Sequence, residues 1–76
     1  MIIRDRVIEI VAREFDIDPL ILSENSGLEE LGADSPHLLE LALGIEESFG
    51  IEIPDAILAG LRTVGDLINY IQQNVG

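Results

Sequence analysis

The sequence has 76 residues, 47% of them hydrophobic, and sets four arginines against fifteen acids for a formal net charge of −11. A chain of this length folds around one core, so residues 1–76 are expected to form a single domain; a surface this acidic is a poor partner for nucleic acid or anionic membrane, whose phosphates are bound through cations. Cysteine is absent, which excludes disulfides, a thiolate nucleophile and cysteine metal clusters, so any thiol chemistry must come from an added group.

Residues 2–15 place Ile3, Val7, Ile10, Val11 and Phe15 at spacings of three and four, the stripe of a first helix, with Glu9 and Arg13 spaced for an outer i, i+4 pair. Charges at Arg4, Asp5, Arg6 and Glu9 leave residues 1–10 without an apolar run of signal-peptide or membrane-span length. A soluble, cytoplasmic protein without membrane insertion is expected. Residues 16–34 break the period with Asp18-Pro19 and Ser26-Gly27, while Ile17, Leu20, Leu22, Leu28 and Leu31 offer anchors to a core. This reads as a long ordered loop, and loops of such length in small domains tend to carry function.

A second helix is predicted over residues 35–49, with Pro36 in its first turn and Gly50 as its stop. Ile51-Glu52-Ile53-Pro54 reads as an extended linker, and Asp55 as the cap of a short third helix through Ala59. Thr63 and Asp66 have the spacing of a capping box for a fourth helix with the stripe Val64, Leu67, Ile68, Ile71 and Val75. The fold class is therefore all-α: a small four-helix bundle with a long first loop and a short third helix.

At about 100° per residue, Leu38, Leu41, Ala42, Ile45 and Phe49 form the buried stripe of the second helix. Ser35, Pro36, Leu39, Glu40, Leu43, Glu46 and Glu47 fall on another arc, where two leucines stand among three acids. Apolar anchors ringed by charge suit a protein docking surface, though single exposed leucines are also ordinary. Ser35 lies at the positive end of the helix, which favours a phosphodiester. A serine before proline is equally a common helix cap, and periodicity alone leaves both readings open.

The segments Leu31-Gly32-Ala33-Asp34-Ser35, Glu46-Glu47-Ser48-Phe49 and Ile51-Glu52-Ile53-Pro54-Asp55 resemble, in order and spacing, the acyl carrier protein family, over essentially the whole chain. The resemblance implies a carrier whose Ser35 receives 4′-phosphopantetheine from coenzyme A and holds acyl groups as thioesters for fatty-acid, polyketide or lipid biosynthesis. It implies that Asp34 supports the transfer, helping to position the magnesium of a phosphopantetheinyl transferase, and that the carrier holds no metal of its own. It also implies that Pro36, Leu39, Glu40, Leu43, Glu46 and Glu47 meet the basic docking patches of acyl-processing synthases and transferases. Pro36 and His37 depart from the leucine and the frequent acid that the family usually has there, which bears on partner choice.

Little else in the chain suggests chemistry. His37 reads as a solvated residue at a helix start, with no nucleophile or matching base adjoining it. Asp16 and Asp18 begin like a calcium loop, but Leu20 and Ile21 stand where that pattern needs a ligand and a glycine. A monomeric carrier rather than an enzyme is expected; the alternative is an unmodified, carrier-like acidic interaction subunit.

Overall fold

The computed structural model describes residues 2–31 and 35–75, the side chain of Ser35 excepted. Helix α1 (Ile3–Phe15) leads through a 3-10 turn (Pro19–Ile21) and a loop to α2 (Ser35–Phe49), followed by α3 (Asp55–Gly60) and α4 (Val64–Asn74). α1 packs against both α2 and α4. Being clasped from two sides widens its buried arc beyond the predicted stripe, so that Ile8 and Ala12 are buried with Val7, Ile10 and Val11, while Phe15 at the end is only half-buried. α1 ends at Asp16, whose left-handed backbone (φ 55°) is open mainly to glycine, asparagine and aspartate among ordinary residues. On its outer side Glu9 pairs with Arg6 at 3.5 Å, three residues before it, instead of with Arg13 as the spacing suggested.

The central core joins those side chains to Leu41, Ala42 and Ile45 of α2 and to Val64, Leu67, Ile68 and Ile71 of α4. Val75, predicted on the α4 stripe, is the C-cap residue and is partly buried against the core. The capping box is formed as the sequence predicts: the Asp66 N–H donates to the Thr63 hydroxyl at 3.1 Å, and the Thr63 N–H donates to the Asp66 carboxylate at 3.2 Å. Asp55 is not a cap. It is the first residue of α3, the cap position belongs to Pro54, and no side chain bonds there.

The long first loop is bound to the start of α4 through its backbone. The Leu28 N–H donates to the Arg62 carbonyl at 2.8 Å, the Val64 N–H to the Ser26 carbonyl at 3.0 Å and the Gly65 N–H to the Glu24 carbonyl at 2.8 Å. A Cβ on Gly65 would lie 2.9 Å from that Glu24 oxygen, so this close approach requires glycine. Leu22 and Leu28 are buried as expected, but Leu20 is 90% exposed and is not an anchor. The reason is local: the Leu20 N–H donates to the Asp18 carboxylate at 2.9 Å, closing a tight turn that points Leu20 and Ile21 outward before Leu22 turns in.

Candidate functional site

α2 starts at Ser35 and stops where Gly50 takes a positive φ of 66° and returns its N–H to the Glu46 carbonyl at 2.8 Å, the left-handed termination that glycine permits at no steric cost. Proline in a first turn loses no intrahelical bond, because the first four N–H groups of a helix lack acceptors within it. No acidic side chain stands in the first turn of α2. Its positive end is thus not neutralised from within, which suits a phosphodiester on the residue that opens the helix. Asp34 lies outside the described residues.

Three neighbours divide the circumference of α2. The core takes Leu41, Ala42 and Ile45. On the edge toward α3, the Glu46 carboxylate accepts the Ile53 N–H at 2.7 Å, while the Tyr70 hydroxyl donates to the Glu52 carbonyl at 2.9 Å, so the linker before α3 is held from α2 on one side and α4 on the other. Glu46 is therefore half-buried and engaged within the protein, whereas Pro36, Leu39, Glu40, Leu43 and Glu47 of the predicted arc are exposed. Leu39 leans the same way, lining a small cavity of about 210 Å³ with Leu38, Asp55, Leu58 and Ala59, and still leaves half of itself exposed. What faces outward is Pro36, Glu40, Leu43 and Glu47, all exposed, Leu43 by 57%.

On the opposite edge α2 meets the end of α1. The His37 ring lies against Phe15, with centroids 5.6 Å apart and planes inclined at 47°. Next to it, Glu14 is held above the usual carboxylate range: burial acts first, then the hydrogen bond and negative charge of Glu40, with the charge of His37 pulling the other way. Sequence reasoning missed this seam, because Phe15 and His37 are 22 positions apart and each reads as an ordinary helix-end residue alone. It also missed the larger cavity, about 610 Å³, between the first loop and α3, where Leu28, Leu38, Leu58 and Leu61 meet Glu30 and Arg62.

Comparison with known proteins agrees with this geometry. The phosphopantetheine attachment site family matches residues 5–71. The chain is similar to an acyl carrier protein of Wolinella succinogenes, 41% identical over 97% of this chain and 99% of that one. It is also 41% identical to an acyl carrier protein of Phenylobacterium zucineum, over 95% and 92% of the two chains. Among solved structures it superposes on the apo doublet acyl carrier protein from prodigiosin biosynthesis with a TM-score of 0.82 at 27% identity, covering 96% of this chain and 36% of the doublet. On an acyl carrier protein from Thermotoga maritima the TM-score is 0.77 at 28% identity, covering 91% and 81%.

Proposed function

This chain belongs to the acyl carrier proteins, the family with a covalent phosphopantetheine group, and on that premise we propose that Ser35 is the attachment residue and the outward face of α2 the docking surface. The observation that carries the reading is that α2 opens at Ser35 with no acid in its first turn, directly beside exposed Leu39 and Leu43. The bound group supplies a thiol on which acyl groups are held as thioesters. What the protein contributes is the rest: a hydroxyl to esterify, a helix end that favours the phosphate, and a face to dock with.

Leu39 and Leu43 supply apolar contact, while Glu40 and Glu47 pair with cations of a partner. Exposed charges of this kind raise encounter rates and weaken steeply with salt, which suits a carrier that must leave after each visit. Acyl-processing synthases and transferases of fatty-acid or related polyketide and lipid biosynthesis are the partners proposed, with a phosphopantetheinyl transferase as the first of them. Asp34 supports that transfer. We read residues 1–76 as one carrier domain that is monomeric, cytoplasmic and without catalytic activity of its own; among the described residues no helix is long and apolar enough to cross a membrane.

The test is intact-mass spectrometry after incubation with coenzyme A and a broad-specificity phosphopantetheinyl transferase. Wild-type protein should gain one phosphopantetheine and Ser35→Ala none. Modification of the alanine variant, or failure of the wild type with several transferases, would overturn the assignment.

A further inference from the structure

His37 is the only histidine in the chain, it is exposed, and it stands two residues after the proposed attachment site. Two helical steps of about 100° put it on the side of α2 facing away from Ser35. It is therefore poorly placed to touch a group attached there. Its ring touches Phe15, the last residue of α1, at a centroid distance and tilt that favour an aromatic pair. The same seam brings Glu14 of α1 to Glu40 of α2, with His37 acting electrostatically on Glu14. Among the described side chains toward the N-terminus of α2, Pro36, Leu39 and Glu40 are exposed, and Leu38 is only partly buried. The first fully buried side chain among its described residues is Leu41.

We propose that His37 is a positioning residue for phosphopantetheine transfer: by seating its ring on Phe15 it holds the first turn of α2 against α1, so that Ser35 opens a formed helix when the transferase arrives. The inference rests on Ser35 being the modified residue. A helix start that frays reduces the fraction of carrier able to engage, and the apparent affinity falls by that fraction while the chemical step, once engaged, is unchanged. The effect thus belongs in KM rather than kcat.

The experiment compares wild type with His37→Ala and His37→Phe. Steady-state transfer from coenzyme A should show KM for the carrier raised about two- to tenfold in the alanine variant, the factor that one aromatic pair is worth, with kcat little changed. Phenylalanine, which keeps a ring but not the imidazole, should restore KM. Amide hydrogen exchange on the unmodified proteins gives a second readout: Leu39, Glu40 and Leu41, whose N–H groups bond back to residues 35–37 along the helix, should exchange faster in His37→Ala and normally in His37→Phe, with α4 unchanged. Unaltered KM and exchange in the alanine variant would overturn the proposal. So would failure of phenylalanine to rescue, or acceleration spread equally through α4, which would mark a general loss of stability. If wild-type protein accepts no phosphopantetheine, the Ser35 assignment fails, and exchange still decides whether His37 holds the turn.

Discussion

Helices α3 and α4 are joined by only three residues, yet they are built in opposite ways. α4 has eleven residues, a complete capping box and four buried side chains. α3 has six residues, no side-chain cap and Leu58 as its sole buried residue. An isolated helix of six residues is far below the length that sustains itself in water, so α3 exists because Leu58 and the clamped linker hold it. Cavities of about 610 and 210 Å³ share Leu38, Leu58 and Ala59 as lining. The bundle thus pairs a sealed wall, made of α1, α4 and the bound loop, with a lightly held wall next to the proposed docking face.

Core truncations should test that contrast most strongly. Ile71→Ala, in the sealed wall with no exposed surface, should cost about 3 to 5 kcal/mol, because its surroundings cannot collapse into the void. Leu58→Ala should cost about 2 kcal/mol, the low end for such a change, since α3 can settle into adjoining space. Urea denaturation of the two variants checks both values. Equal losses would mean that α3 is as firmly built as α4, and the contrast would fail. The cap is a smaller lever: Thr63→Ala should cost about 1 kcal/mol, again by urea midpoint. Leu43→Ala should change stability by less than about 0.5 kcal/mol, being surface-exposed, while weakening docking to an acyl-processing partner in a titration at low salt.

Elements marked by local signals were the more legible in sequence. Thr63 with Asp66, Pro36 and Gly50 each have a local reason to stand where they do, and the 3.6-residue stripes of α2 and α4 matched the buried sets closely. Elements whose geometry comes from contacts between distant segments were harder to read. Asp55 looked like a cap, since sequence gives no sign that Glu46 and Tyr70 would fix the linker before it. In the first loop, Leu20 looked like an anchor because hydrophobicity does not reveal which way a three-residue turn points. On the candidate site, the exposure of Leu39 and Leu43 followed from the helical period, whereas the diversion of Glu46 into the linker and the His37–Phe15 contact required the packed structure.

The smallest effects expected are those of two acids, one in the cap of α4 and one on the seam between α1 and α2, whose titrations run in opposite directions. Asp66 of the α4 cap is held below its reference value of 3.8, chiefly by the backbone N–H groups of Arg62 and Thr63 that donate to it. Its contribution is present above pH 3.8 and is lost as pH falls through the lower folded value, because the unfolded chain takes up the proton first. Glu14, on the seam beside the docking face, is raised above 4.5, mainly by burial and then by Glu40. Its contribution is fully present below pH 4.5 and is lost as pH rises through the higher folded value. Asp66→Asn should therefore be less stable than wild type at neutral pH, with the gap closing below pH 3.8. Glu14→Gln should be slightly more stable than wild type at neutral pH, with that gap closing toward pH 4.5. Urea midpoints for the three proteins from pH 3 to 7 would reveal the crossing trends. Parallel trends would mean that neither burial nor Glu40 raises Glu14 on the α1–α2 seam, and the electrostatic half of the contrast would have to be abandoned.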